Sequence, residues 1–399
     1  MIRALSRLLN YIRSTIVKVI KDPRKIAIAV DRWYQYYFVR PSRQALNWAL
    51  TSPPRIYYAW AYDAAEHHPS FKTYDTHPPV RYTMYSLADI CHFFNSVPSW
   101  NKKPFVLEFE HVMAMTYYFP GRPYSRDKVN YVQEVIASDL CRVALTLSKG
   151  LVTDSKRFIS DTSLYDKFDY LYPCYSTQPS RSMDLSRPFT ILTIATRFYD
   201  KGVHIALKAF GVLRERYGSQ VQMILVCDCL PTGYHVPDGV IIYTAHPLSD
   251  TLKAKLYNNS HVLFLPVLSE TFGCFPEAYA YGTPVVTTRI HHGDETVREG
   301  ITGFLVDPPF YLFSDEHGMR QKTMEEFVIY CKQSFENGGF NNLIEQCVNR
   351  LERMISGDVD LVVMSAAAQA FHREMFSIEV RNQKLRQIYR RVAGLANDV

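Results

Sequence analysis

The sequence predicts an α/β fold built from two doubly wound parallel-sheet domains. Three observations carry that expectation. The chain has 399 residues, enough for two domains that each bury a core. Apolar runs of strand length alternate with amphipathic stretches of helix length. In the second half those runs are almost continuously apolar, as strands covered on both faces must be.

Composition narrows the class further. A hydrophobic share of 47% is that of an ordinary globular chain. The longest purely apolar runs, such as IAIAV at 26–30, are far too short to cross a bilayer. The N-terminus carries charges throughout and has no small-residue cleavage site after an apolar core, so no secretory signal is read there. Eight cysteines are scattered. Cys227 and Cys229 form a close pair, but no second pair completes a zinc site. Packed free thiols in a reducing compartment fit this pattern, and the expected location is cytoplasmic, with a peripheral site on the inner membrane face open to it.

Charge is unevenly placed. Residues 1–43 hold ten Lys and Arg against Asp22 and Asp31, a balance of +8, so with +6 overall residues 44–399 sum to −2. A nucleic-acid-binding surface would need basic clusters across a folded face, and none is expected. Within this basic N-terminal segment (1–43), Ile2, Leu5, Leu9, Ile12, Ile16 and Val19 draw one apolar stripe on a helix, with Arg3, Arg7, Arg13, Lys18 and Lys21 elsewhere. Two partners suit the stripe equally: an anionic membrane surface against residues 1–21, or the protein's own core.

The elements follow in order. A first domain is expected over 44–180, with strands RIYYAWAY (55–62), ADICHFFN (88–95), PFVLEFEH (104–111), RVALTLS (142–148) and FDYLYP (168–173), and a helix from Lys149 to Ser160. The polar stretch 176–188, with Pro179, Pro188 and four serines, is the linker candidate. A second domain is expected over 185–375, where the alternation becomes regular. FTILTIAT (189–196), VQMILVCD (221–228), VIIYTA (240–245), HVLFLPV (261–267), PVVTTRI (284–290) and GFLVDP (303–308) read as strands. Helices are read at 202–217 and 249–259, and from about 321 onward. A C-terminal helix (376–399) follows, with Ser377 as its N-cap and Leu385, Ile388, Tyr389 and Val392 as its buried stripe.

Doubly wound sheets bind ligands where strands end at the carboxyl edge. Two strand-to-helix turns in the second half place charges there. ATRFYDKG sets Arg197 and Lys201 between a strand and a helix. LPVLSETFGCFPEAYAYGTPVV sets Glu270 and Glu277 on either side of a turn containing Gly273, with Pro276 suited to the first turn of the next helix. Two cations facing one crevice point to a phosphate site, and carboxylates beside them accept hydrogen bonds from sugar and ribose hydroxyls. A lone Arg or Glu after a strand is more often a cap or surface ion pair, so the weight lies in the combination.

Together these segments resemble the second domain of the glycosyltransferase group 1 family, family 4 of the retaining GT-B enzymes. ATRFYDKGVHIALKAF resembles its donor-phosphate segment, SETFGCFPEAYAYGTPVV its two-glutamate signature, and DETVREGITGFLVDP (294–308) its closing motif. The resemblance runs from about 189 to 308, and more weakly to 399. It implies two Rossmann-like domains facing a cleft, C-terminal helices that can cross back to the first domain, and transfer of a sugar from a nucleotide-sugar donor with retention of configuration. Glu277 would hold the ribose hydroxyls, Arg197 and Lys201 the diphosphate, and Glu270 the donor sugar. Backbone amides around Phe272, Gly273 and Cys274 would line the same pocket. Six residues separate Glu270 from Glu277 where the family has seven, and the Arg197–Lys201 spacing is one residue short. In the first domain, His111 stands where the family's strand-end histidine stands, in the cleft facing the donor. A hydrogen-bonded strand-end histidine fits it equally. The family's Gly-rich loop after the first strand is not visible.

No metal site is expected, and no cofactor beyond the donor itself. Asp358-Val359-Asp360 is the one Asp-x-Asp match, and a helix cap explains it better than a metal-held diphosphate. His67-His68 and His291-His292 are adjacent pairs, which do not converge on one ion from a regular element. Gly-x-Ser-x-Gly, Gly-x-Gly-x-x-Gly and Walker A patterns are absent, which disfavours hydrolase and kinase readings. A nucleotide-sugar epimerase of the same fold and a catalytically inactive membrane-tethering subunit are the alternatives. The acceptor, a glycan, lipid or polysaccharide precursor, is not readable.

Overall fold

The computed structural model describes residues 56–59, 90–94, 97, 101–116, 126–227, 230–244, 248–269, 271–392 and 394. The basic stripe at 1–21 and the pair His67-His68 lie outside the described residues, as does Cys229 of the cysteine pair. The chain divides into two units. The first holds the described residues through Tyr172 together with those from Glu379 onward, and the second runs from Pro173 to Ile378.

In the first unit β1 (Ile56–Ala59), β2 (Ile90–Phe94), β3 (Phe105–Phe109), β4 (Cys141–Thr146) and β5 (Phe168–Tyr170) pair in simple sequence order, all parallel. Parallel strands need crossovers. Helix α1 (Arg126–Ala137) and helix α2 (Lys149–Lys156) lie in two of them, and Ser148 caps α2 by accepting from the Leu151 amide at 3.1 Å. Sequence periodicity did not reveal α1, whose buried side, among the described side chains, is Lys128, Val132 and Ile136.

The second unit holds a six-stranded parallel sheet, β6 (Phe189–Ile194), β7 (Val221–Val226), β8 (Val240–Tyr243), β9 (Val262–Leu265), β10 (Val285–Thr288) and β11 (Gly303–Val306). Their spatial order is β11-β10-β9-β6-β7-β8, so the winding reverses between β6 and β9, as in a doubly wound sheet. Helices α3 (Val203–Tyr217), α4 (Asp250–Asn258), α5 (Cys274–Ala280), α6 (Met324–Glu336), α7 (Asn341–Ile355) and α8 (Leu361–Phe371) belong to the same unit. One departure from expectation is β8. As an edge strand it leaves Ile241 47% exposed, so its apolar run does not mean burial on both faces.

Other expectations resolve in detail. Asp360 caps α8, its carboxylate accepting from the Val362 and Val363 amides at 2.9 and 3.0 Å. The stretch 176–188 has no regular element, yet Arg181 donates to the Tyr257 and Ser260 carbonyls at 2.6 and 2.8 Å, which fastens it to the second unit. Before the last helix, α9 (Ile378–Val392), Ser377 is extended and its hydroxyl donates back to the Arg373 carbonyl. From Glu379 onward α9 belongs to the first unit, where Leu385, Ile388 and Tyr389 pack on Ile90, Val106, Val143 and Leu145.

His204 of α3 is fully buried among the rings of Phe198, Tyr199, Phe335 and Phe340. Burial pushes its pKa down to about 4, against the pull of the Phe198 carbonyl and Asp200. The folded state therefore disfavours the imidazolium. Its contribution is complete above pH ~6.5 and is lost as pH falls toward the folded value, by about 2–3 kcal/mol at pH 4.5. Urea titrations between pH 7.5 and 4.5 should show that decline, and His204→Phe should flatten it. Equal slopes in the two proteins would assign the decline to other groups.

Candidate active site

The site is set by topology. At the reversal between β6 and β9, the two following loops leave the same carboxyl edge in different directions. The β6–α3 loop carries Arg197, Asp200 and Lys201, and the β9–α5 loop carries Ser269, Phe272 and Gly273. They meet closely. Gly202 has φ +72°, and a Cβ there would stand 1.9 Å from the Pro266 carbonyl oxygen, so no other residue fits. Leu268 and Ser269 donate their amides to the Asp200 carbonyl at 2.9 and 3.0 Å.

Side chains continue the link. Arg197 donates from Nε to Asp200 Oδ2 at 2.7 Å, and its Nη2 lies 2.6 Å from the same oxygen. The Ser269 hydroxyl donates to that oxygen too, at 2.7 Å. Burial alone would raise the Asp200 pKa, but the Arg197 hydrogen bond and charge, with Lys201 and Ser269, bring it below the usual carboxylate value. Arg197 itself is about half exposed and Lys201 partly buried.

Glu277 lies in the first turn of α5 and is buried. Lys253 of α4 donates to its Oε1 at 2.7 Å and the Tyr257 hydroxyl to its Oε2 at 3.1 Å. Burial alone would lower the Lys253 pKa, yet the Glu277 charge and hydrogen bond raise it, so Lys253 stays protonated. Burial and the same charge push Tyr257 well up and the Cys274 thiol to about 12, which keeps both protonated. A carboxylate offers about four lone-pair sites. Two are taken, and the others remain for further donors.

The β9–α5 loop is held from one side by aromatic contacts. The Phe272 ring packs 4.4 Å from His292, whose Nε2 lies 2.8 Å from the Thr271 carbonyl, and 5.9 Å from Phe376. Neighbouring His291 has φ +46° and meets Tyr311 edge-on, so the two histidines serve different contacts.

Thus Arg197, Lys201, Phe272, Gly273, Cys274 and Glu277 come together at one sheet edge, on two facing loops and the helix that follows. Glu270 lies outside the described residues. His111 is in the first unit, two residues past β3, buried and edge-on to Phe158 at 5.1 Å. Sequence reasoning missed Asp200, Lys253, Tyr257, Ser269 and His292. Among the described residues no group of three His, Cys, Asp or Glu could hold a metal ion.

Residues 181–311 match the family model described as glycosyl transferases group 1. D-inositol 3-phosphate glycosyltransferase of Corynebacterium urealyticum is 31% identical over 122 residues, 27% of this chain and 28% of that protein. The chain therefore aligns with little more than a quarter of that relative's length. Sucrose-phosphate synthase of Thermosynechococcus elongatus has a similar fold, with TM-score 0.54 and 13% identity over 77% of this chain and 74% of that one. A TarM mutant from S. aureus, solved in a complex that includes UDP, follows at TM-score 0.52 and 10% identity, over 75% and 55% of the two chains. The fold is the GT-B type of α/β architecture, and within it residues 181–311 are similar to the group 1 glycosyltransferases.

Proposed function

We propose that the protein is a glycosyltransferase that moves a sugar from a nucleotide-sugar donor onto an acceptor hydroxyl, with retention of anomeric configuration and no divalent metal. One observation carries the reading. Two cations and a buried carboxylate gather at the switch point of a doubly wound sheet, within the stretch that matches the family. Arg197 and Lys201 meet the charge that grows on the diphosphate as the sugar–phosphate bond breaks. The acceptor hydroxyl then attacks from the same face. Glu277 holds the ribose hydroxyls with the lone pairs that Lys253 and Tyr257 leave unused, and the loop at Phe272, Gly273 and Cys274 lines the donor. UDP in the TarM complex is consistent with such a donor. By the family pattern, Glu270 contacts the donor sugar and His111 steadies sugar or acceptor.

A thermal-shift screen against UDP-, GDP- and ADP-sugars, followed by product analysis for anomeric configuration, tests the reading, because bound ligand stabilises by mass action. No stabilisation by any of the three classes would sink it. The ribose role has its own test. Glu277→Gln keeps the side-chain shape but removes the charge, and should cost donor affinity about 2–3 kcal/mol, the scale of charge-assisted hydrogen bonds. Calorimetry with UDP, GDP and ADP measures this, and unchanged affinity would free Glu277 of the role.

Residues 1–21 are assigned, on their sequence alone, to peripheral contact with an anionic membrane. No helix among the described residues is long and apolar enough to cross one. Deleting 1–21 should release the protein from phosphatidylserine vesicles, and salt should weaken binding of the intact chain. Equal sedimentation of both proteins would return the stripe to the protein's own core.

A further inference from the structure

Asp200 is fully buried at the carboxyl edge of a parallel sheet. A buried carboxylate is costly unless paired, and one kept for the fold alone normally spends both oxygens. Here three donor atoms converge on Oδ2: Arg197 Nε, Arg197 Nη2 and the Ser269 hydroxyl. Oδ1 is buried and receives no hydrogen bond. An arginine fork ordinarily spans both oxygens of a carboxylate. The convergence on one oxygen instead fixes the plane of the guanidinium, because its Nε–Nη2 edge is turned onto Asp200. Main chain and side chain of Asp200 both reach the β9–α5 loop, so the same residue sets where that loop stands relative to Arg197.

We propose that Asp200 is a positioning residue for sugar transfer, orienting Arg197 toward the departing diphosphate and cancelling its charge, so that Lys201 supplies the net positive charge of the site. The proposal rests on the glycosyltransferase reading and goes beyond it in dividing labour between the two cations. Arg197 contributes directed N–H donors whose orientation matters most as charge develops. Lys201 contributes undirected positive charge, which attracts the diphosphate and acts more strongly as charge grows on it. Asp200 touches no substrate and acts through Arg197.

Asp200→Asn keeps the shape and removes the charge. In a variant shown to be folded by circular dichroism, kcat should fall about tenfold or more. Affinity for UDP, GDP and ADP should stay within about twofold of the parent or tighten, since a negative charge near the phosphates has gone. In an Arg197→Ala background the same change should alter kcat by less than about threefold, because two residues acting as a unit do not add. Ser269→Ala provides a second variant that keeps both charges. It should lower kcat by about threefold alone and leave it unchanged beside Arg197→Ala. Unchanged kcat in Asp200→Asn would overturn the proposal, as would losses that multiply in the double variants or diphosphate binding weakened as much as in Arg197→Ala. A parent protein that binds none of the three diphosphates defeats the glycosyltransferase reading, and the assignment of Asp200 falls with it. A parent that binds and turns over donor while Asp200 proves independent of Arg197 defeats the assignment alone.

Discussion

Arg197→Ala and Lys201→Ala should each lower kcat by roughly a hundredfold or more, the effect expected when a partner of transition-state charge is removed. Charge on the diphosphate must be met by something, and the usual choices are a bound cation or fixed protein cations. Two fixed cations stand on one loop at the switch point. Donor affinity should fall less than turnover, because the charge to be stabilised grows as the bond breaks. On the same reasoning transfer should survive excess EDTA. Activity abolished by EDTA and restored by manganese would overturn the proposed mechanism. Equal losses in kcat/KM and donor affinity, with kcat unchanged, would reduce the two residues to uniform binding.

The second sheet was legible because each of its strands is an apolar run closed by turn residues, and a parallel sheet buries such runs on both faces. Periodicity could not reveal position, so VIIY read like a central strand although β8 lies at the edge. Helix α1 was missed for a related reason. Its buried side includes Lys128 beside Val132 and Ile136, too thin a stripe to register. Arg197 and Lys201 stood out because charges soon after an apolar strand are conspicuous, and Glu277 stood out through the two-glutamate signature. Asp200 stands in the same loop but looks like any turn aspartate. Its meaning comes from Ser269, 69 residues away in sequence. Lys253 likewise belongs to a surface-like helix pattern until tertiary structure brings it to Glu277. The resemblance supplied roles for single residues, and contacts between elements supplied what orients them.

A buried cluster in the first unit shows the same limit and carries the largest expected effect on stability. Arg381 in α9 falls on the helix stripe with Leu385, Ile388 and Tyr389, where an arginine is out of place unless an anion awaits it. Glu108 in β3 is that anion. Arg381 donates from Nη2 to its Oε1 and Oε2 at 2.8 and 3.1 Å, and from Nη1 to the Leu171 and Tyr172 carbonyls at 3.1 and 2.7 Å. His92 Nε2 lies 3.0 Å from Glu108 Oε2, and its Nδ1 lies 2.6 Å from the Tyr389 hydroxyl. Burial lowers the His92 pKa despite Glu108, so a neutral imidazole stands between Glu108 and Tyr389. Removing Arg381 leaves Glu108 buried without its cation. Arg381→Met should therefore cost about 3–5 kcal/mol in urea denaturation, whereas adding Glu108→Gln should recover much of the loss, since a neutral pair carries no stranded charge. The pH dependence gives a second readout. Arg381 helps to hold the His92 pKa down, so in Arg381→Met the pull of Glu108 acts unopposed and the folded-state value rises. Stability that the parent loses as pH falls below ~6.5 should then be lost less in the variant, narrowing the gap between them toward pH 5.5. A gap that stays constant from pH 7.5 to 5.5 would show that His92 does not take up the proton that the stranded carboxylate calls for.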